Sequence, residues 1–490
     1  MMNEMMVKTY EFHSFINNEE VKANTSREIR NPGRLNDIVG SVGQGTVGHV
    51  DLAVRSAYQA FHLWKKTPVA ERCTLLLKAA DVLEGMKEEL APLLSREAGI
   101  LFPAARMEVT SAANQFRMYV SFAEDFYKDD VIEDENGTVR VEKAPMGVVA
   151  AITPWNVPLM LCMGKVAPVL LTGNTVVVKP SPYAPMAVSL ALQTIARLFP
   201  PGVINVVHGD AEAGTALTTH PLVRKITFTG GGRTARHVMR AAAESLKSVH
   251  FELGGNDPAI VLDDARLDEV IPKIVDGAFR RSGQLCIAIK RVYIPEHMYA
   301  DACELAREAA SKFRIGYQMN EKANMGPVNN QMQYDFVRRL VESTKQSKAE
   351  VWELGEKLEP EEWDQGYYLQ PALVVHPEHD QEVVTCEQFG PVLPLISYRT
   401  LDEAIFCANN TELGLGSSVW SSDEERALEV ARKIESGMTF INGAGNTPLG
   451  IKHVPFGGVK QSGIGRERGT IGLAEFIEYH AFDIHKRKAQ

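Results

Sequence analysis

An α/β fold built on a doubly wound parallel sheet is the architecture this sequence predicts. Three observations carry it. The runs 146–153 (MGVVAAIT) and 175–178 (TVVV) are short, apolar and bounded by Gly and Pro, as strands buried on both faces are. Segments with helical spacing alternate with such runs, and a parallel sheet needs helical crossovers of one hand. The chain has 490 residues, 45% of them hydrophobic and 23% charged. That is room for two to four domains with cores of their own.

In chain order, residues 52–64 and 70–89 carry apolar residues at helical spacing. Residues 131–144 hold two alternating runs around Asn136-Gly137, a strong hairpin signal. The strands 146–153 and 175–178 follow, then a helix over 184–198 and strands over 203–207 and 225–229. The tail 476–485 alternates like a strand. A hairpin and a terminal strand are edges that a second chain can cover; they are equally readable as edge strands of a monomer. The most apolar region, Val148 to Val178, is interrupted by Pro154, Asn156, Pro158, Lys165, Pro168 and Gly173, so it reads as core and not as a membrane span.

Several function classes are disfavoured. Asp and Glu total 62 against 52 Lys and Arg, a net charge of −10, opposite to the imbalance of a phosphate-backbone binder. The six cysteines form no CxxC and none has His at zinc spacing. No metal site and no disulfide scaffold are expected, and a reducing, cytoplasmic setting fits. The amino terminus lacks a secretory pattern. Gly43-Gln44-Gly45-Thr46-Val47-Gly48 matches a dinucleotide fingerprint literally. However, the run before it is weakly apolar, no acid closes a second strand about 20 residues on, and Asp51 reads as the cap of a later helix. A loop between an edge strand and a surface helix is the better reading.

Three residues have the character of reactive groups. Cys286 follows Gly283-Gln284-Leu285 in a small, polar setting, whereas Cys73, Cys303 and Cys407 sit in helical patterns as buried spectators. Glu252, before Leu253-Gly254-Gly255, is either a cap or a buried base whose pKa burial would raise. Asn156 lies on a loop stiffened by Pro154 and Pro158 at a strand's carboxyl end. Its amide can donate to an oxyanion or form an Asx turn.

Taken in order, Ile152-Thr153-Pro154-Trp155-Asn156, Thr175 to Ser181, Phe228-Thr229-Gly230, Glu252-Leu253-Gly254-Gly255, Gly283-Gln284-Leu285-Cys286, Glu387-Gln388-Phe389-Gly390-Pro391 and Pro455 to Gly463 resemble the aldehyde dehydrogenase superfamily over nearly the whole chain. The resemblance implies Cys286 as nucleophile, Asn156 as oxyanion donor and Glu252 as the base that hydrolyses the thioester. Glu467 matches a second glutamate that relays protons or forms a salt bridge. Trp155, Lys179, Ser181, Gly230, Glu387 and Phe389 match cofactor-binding positions. The implied domains are a cofactor domain of residues 1–123 and 146–254 with 462–476 packing near it, a catalytic domain of 255–461, and an oligomerisation arm of 124–145 with 477–490. A homodimer or homotetramer acting on a small-molecule aldehyde follows, with no nucleic acid or membrane partner.

Two departures matter. Pro182 stands where relatives that prefer NAD carry a glutamate, and Gly231-Gly232 replaces a hydroxyl pair, followed by Arg233 and Arg236. Removing the carboxylate removes repulsion of a 2′-phosphate, so NADP is expected to be accepted as well as NAD, with Arg233 nearby. The implied substrate pocket is Val157, Leu161, Gly164, Leu285, Ile287, Gly450 and Phe456. Glycines at 164 and 450 suggest a wide apolar pocket for a medium or bulky aldehyde, aromatic or longer aliphatic, with Lys165 and His453 as nearby charges. The alternatives are a coenzyme A-acylating enzyme, which Glu252 disfavours, and a catalytically silent protein on the same fold.

Overall fold

The computed structural model describes residues 9–128, 130–445 and 453–486. Two large sheets organise them. The first has eight strands, in the order Gly463–Ile464, Ser248–Glu252, Val223–Thr229, Val148–Ile152, Thr175–Lys179, Ile204–Val206, Ser14–Ile16 and Glu19–Val21. Its five central strands are parallel, and antiparallel strands close both edges. The chain runs outward from Val148–Ile152 to Ile204–Val206, then returns to lay Val223–Thr229 on the other side. That reversal opens a crevice at the strands' carboxyl ends, where doubly wound sheets bind ligands.

Alternation along these strands feeds two separate cores. Val149, Ala151, Val176 and Val178 pack beneath one layer of helices that includes Phe102–Ser121, Pro158–Leu171 and Met186–Ala196. Val148, Ala150, Val177 and Ile226 pack on the other face against Val47–Trp64 and Gly232–Ala243. The predicted strands therefore stand where expected. The helical stretch 70–89 is two helices, Val69–Gly85 and Lys87–Ala98, hinged at Met86; Gly85 weakens the first at its end.

The second sheet has seven strands, in the order Glu350–Glu353, Ala372–Val375, Val392–Tyr398, Arg291–Pro295, Pro258–Val261, Gly416–Trp420 and Met438–Ile441. All neighbours are parallel except the first pair. The hairpin strands Asp130–Glu133 and Gly137–Pro145 form a third sheet with Ile477–His485, whose nine residues pair antiparallel with Gly137–Pro145. This sheet leaves Ile132, Tyr479 and Ile484 exposed.

The Gly43–Gly48 motif lies between Arg34–Gly43, a strand of a separate three-stranded sheet, and the helix Val47–Trp64. Asp51 is inside that helix and not its cap: Thr46 holds the cap position, and its N–H donates to His49 Nδ1 at 2.9 Å. All six cysteines are free thiols, and Cys73 and Cys407 are only half-buried. Among the described residues no helix is long and apolar enough to cross a membrane.

Candidate active site

The site forms where carboxyl ends of the first sheet meet loops that precede strands of the second. Asn156 follows Val148–Ile152 and Glu252 ends Ser248–Glu252. Cys286 precedes Arg291–Pro295, and Glu387 and Phe389 precede Val392–Tyr398.

The cysteine loop has an unusual backbone. Arg281, Ser282 and Gly283 have φ of 53°, 57° and 73°. A Cβ on Gly283 would come within 2.1 Å of the Gly390 carbonyl oxygen, so only glycine fits there. Three clamps hold this costly geometry. Asn156 Nδ2 donates to the Gln284 carbonyl at 2.9 Å. The Arg281 guanidinium donates to the Asn156 carbonyl at 2.9 Å and to Glu108 at 2.6 Å. The Lys290 ammonium donates to the carbonyls of Leu285, Cys286 and Ala288 at 2.9, 3.1 and 3.0 Å. Glu108, on Phe102–Ser121, also accepts from Leu159 N at 3.0 Å, so one carboxylate ties that helix, the next helix and the cysteine loop together.

Burial pushes the Cys286 thiol up to about 12, with Lys290 acting in the opposite direction. Glu252 is 3% exposed, and neither carboxyl oxygen has a hydrogen-bond partner among the described residues. Burial, and next the neighbouring charge of Glu467, hold it well above the usual carboxylate range. His250, with Nε2 at 3.5 Å from Glu252, offers no counter-charge, because burial pushes its imidazole down to about 3. Burial pushes Glu467 up, but Lys165 at 2.8 Å, together with His250 and Arg468, keeps the group below its ordinary value. Glu467 thus forms a salt bridge with Lys165.

Glu387 is pushed up to about 7 by burial and accepts from Gly255 N at 3.0 Å. The Trp155 and Phe389 rings meet edge to face at 5.5 Å. The Lys179 ammonium is buried with one acceptor, Pro180 O at 3.3 Å, and burial depresses it to about 8. Beside it lies a shallow cleft lined by Arg27, Gln44, Pro180, Pro182, His208 and Gly209. These residues fit a dinucleotide: an under-satisfied ammonium, aromatic edges and a groove at the strand ends. Gly230, whose N–H donates to Glu252 O at 3.1 Å, precedes the Gly232–Ala243 helix.

The remaining expected positions lie as follows. The Ser181 hydroxyl accepts from Tyr183 N at 3.3 Å, closing a local turn. Arg236 donates to Gln461 at 2.6 Å, and Arg233 is exposed. Arg27 lines the same cleft as Pro182 and lies 3.2 Å from Asp210. Val157, Leu161, Leu285, Ile287 and Phe456 are buried or half-buried, and Phe456 packs with Cys286 and Ile287. The space at Gly164 is not open: the Gln115 amide oxygen lies 3.4 Å from where a Cβ would be. Gly450 lies outside the described residues. Lys165 is committed to Glu467, and His453 is an exposed ring against Phe122. Glu108, Lys290 and Arg27 carried no sequence signal beyond their charge.

The sequence model of the Aldehyde dehydrogenase family matches residues 19–482. FUS7 of Gibberella fujikuroi is 39% identical over 441 residues, covering 90% of this chain and 92% of FUS7. Aldehyde dehydrogenase C (AldC) of Pseudomonas syringae, solved as a mutant with NAD+ and octanal, is 34% identical with a TM-score of 0.90, over 96% of each chain. The structure of 3,6-anhydro-L-galactose dehydrogenase with NADP is 27% identical with a TM-score of 0.92, over 97% of this chain and 100% of that one.

The clamp at Glu108 predicts a stability effect. Its side chain is 1% exposed and that of Arg281 15%. Glu108→Ala leaves a largely buried guanidinium without its carboxylate, a loss of about 3–5 kcal/mol. Chemical denaturation should show the lowered midpoint; an unchanged midpoint would mean that the pair holds nothing in place.

Proposed function

The chain belongs to the aldehyde dehydrogenase family and is an NAD(P)-dependent aldehyde dehydrogenase, and we propose that it converts aldehydes to free acids with Cys286, Asn156 and Glu252 as the working groups. The observation that carries this is the bond from Asn156 to the Gln284 carbonyl. It uses one N–H of the amide and leaves the other beside the Cys286 loop, next to where an oxyanion develops. Such a donor contributes about 3–4 kcal/mol to the transition state. Cys286 attacks the aldehyde carbon. The bound dinucleotide, held by Lys179, Trp155, Glu387 and Phe389, supplies the hydride acceptor. Glu252 activates water against the Cys286 thioester, and its raised pKa suits a general base near neutrality. Because a base works deprotonated, hydrolysis declines as pH falls through that raised pKa. The presence of Glu252 favours water over coenzyme A as acyl acceptor.

Two variants test this. Cys286→Ala should form no NAD(P)H from any aldehyde. Glu252→Gln should keep a single-turnover burst while steady-state turnover drops about 10²–10⁴-fold. Unchanged steady-state turnover in Glu252→Gln would remove Glu252 from hydrolysis.

The cleft beside Pro182 favours acceptance of NADP as well as NAD, with Arg27 as the cationic neighbour of a 2′-phosphate. Arg27→Ala should lower kcat/KM for NADP about tenfold and spare NAD, as loss of one charged hydrogen bond does. Steady-state kinetics with both dinucleotides measure it. A wild-type NADP efficiency about a thousandfold below NAD, roughly 4 kcal/mol, would refute dual use.

The substrate's reacting end lies against Val157, Leu161, Leu285, Ile287 and Phe456, which favours a medium or bulky apolar segment next to the aldehyde. The octanal bound to AldC supports an extended chain there. The sheet of Asp130–Glu133, Gly137–Pro145 and Ile477–His485 acts as the oligomerisation arm of a dimer or tetramer, since it buries little within its own chain. A chain ending at residue 476 should sediment as a smaller species than the full chain; identical sedimentation would rule the arm out.

A further inference from the structure

Glu252 shares its face of the first sheet with an imidazole. His250 stands two residues earlier on Ser248–Glu252, and residues two apart on a strand project to the same side. Thr227 is the residue paired with His250 on the neighbouring strand Val223–Thr229. The helix Pro158–Leu171 brings Lys165 onto that side, with its ammonium on the Thr227 hydroxyl. Lys165, Thr227, His250 and Glu252 are all buried.

The hydrogens along this row have one arrangement. An ammonium only donates, so Lys165 gives hydrogens to Glu467 at 2.8 Å and to the Thr227 hydroxyl at 3.1 Å. His250 Nδ1 lies 3.1 Å from the same hydroxyl. Among the described residues it is the one acceptor within reach of the Thr227 hydrogen, so Thr227 donates to Nδ1. Burial keeps the imidazole neutral by pushing it down to about 3, and a neutral ring carries a single N–H. That hydrogen therefore sits on Nε2. Nε2 has no partner among the described residues, and neither carboxyl oxygen of Glu252 has one. Nε2 and Glu252 Oε1 face each other at 3.5 Å, an unspent donor before an unspent acceptor.

The charged neighbours are committed elsewhere or act at longer range. Lys165 pairs with Glu467, and Lys225 with Glu475 at 2.9 Å. Arg466 gives its guanidinium to the carbonyls of Gly458 and Gly465 at 2.8 and 2.7 Å. Arg468, Tyr119 and the Cys286 thiol are the other titratable groups electrostatically linked to Glu252. None of these groups makes a hydrogen bond to the Glu252 carboxyl.

We propose that His250 is a positioning residue for the hydrolytic step: its Nε2–H donates to the ionised Glu252 carboxylate and steadies the base while it takes a proton from the attacking water. The proposal rests on Glu252 as the base read above and adds the group that stabilises its charged form. Catalytic hydrogen bonds that are long before substrate binds tighten in the reacting complex. The ordered row turns the imidazole into a fixed dipole without charge. It favours the carboxylate but does not neutralise it, as Lys165 neutralises Glu467. His250 passes no proton onward, since its Nδ1 lone pair is taken by Thr227.

The test replaces His250 with Met, which has no donor, and with Gln, whose terminal amide puts an N–H where Nε2 stands. Single-turnover kinetics across pH separate the NAD(P)H burst from thioester hydrolysis. In His250→Met the rising limb of hydrolysis should move up by about one to two pH units, the worth of a hydrogen bond to a charged group. Below that limb hydrolysis then falls about 10- to 100-fold, while the burst is unchanged. His250→Gln should keep the wild-type limb. A limb that stays in place in His250→Met overturns the proposal, as does an equal loss of burst and hydrolysis at every pH, the mark of a merely structural role. A shift in His250→Gln as large as in His250→Met also counts against it. Infrared spectroscopy of the protonated carboxyl, assigned by its loss in Glu252→Gln, titrates Glu252 without any aldehyde. Its midpoint should rise by the same interval in His250→Met. If Glu252→Gln hydrolyses normally, the reading of Glu252 as base falls, and this midpoint alone decides whether His250 holds the carboxylate; an unmoved midpoint refutes it.

Discussion

The interaction on which the site depends is the double tie between Asn156 and the cysteine loop. Asn156 gives an amide hydrogen to Gln284 O and receives Arg281 on its own carbonyl. These bonds cross from one sheet's loops to the other's. They are two of the ties that hold the left-handed turn at 281–283, and they fix Asn156 against the Cys286 loop. Glu108 completes the tie from beneath, binding Arg281 and the first turn of the helix Pro158–Leu171. The scaffold's rigidity is thus transmitted to Cys286 through polar groups that are themselves buried and satisfied, the arrangement that fixes one geometry most firmly.

Burial then sets the chemistry. Dehydration raises the thiol and the carboxyls of Glu252 and Glu387 together. Fixed cations decide which of them recovers charge. Lys165 sits directly on Glu467 and keeps it ionised, whereas Glu252 has no direct partner and stays raised. Two neighbouring glutamates are therefore driven apart, one held low by its lysine and one raised by burial. Lys290 serves two ends at once: it holds three carbonyls of the cysteine loop and places positive charge near the thiol.

Much of this was legible in the sequence. The central strands were readable because apolar runs without alternation have few other uses. Asn136-Gly137 announced the hairpin, and the tail strand pairs with it. The resemblance located Cys286, Glu252 and Asn156, and the structure places all three at one sheet junction. The rest was hidden for physical reasons. Glu108 is one carboxylate within a helical pattern, and its partner lies 173 residues away. Arg233 and Arg236 looked like cofactor readers by proximity in sequence, yet Arg236 is captured by Gln461. Arg27 reaches the cleft from a strand far earlier in the chain. Gly164 suggested empty space, but a side chain from another helix stands against it.

The glycine motifs acquire a single physical meaning from these contacts. A Cβ on Gly254 would fall 2.0 Å from the Glu387 carboxylate, and one on Gly457 would fall 2.8 Å from that of Glu252. Gly283 leaves the corresponding room for the Gly390 backbone. Each glycine marks ground occupied by a neighbouring carboxylate or by the loop that carries one. Gly254 and Gly457 are thus negative images of acidic side chains remote in sequence. A bulkier residue at either place would move the carboxyl group of Glu387 or Glu252.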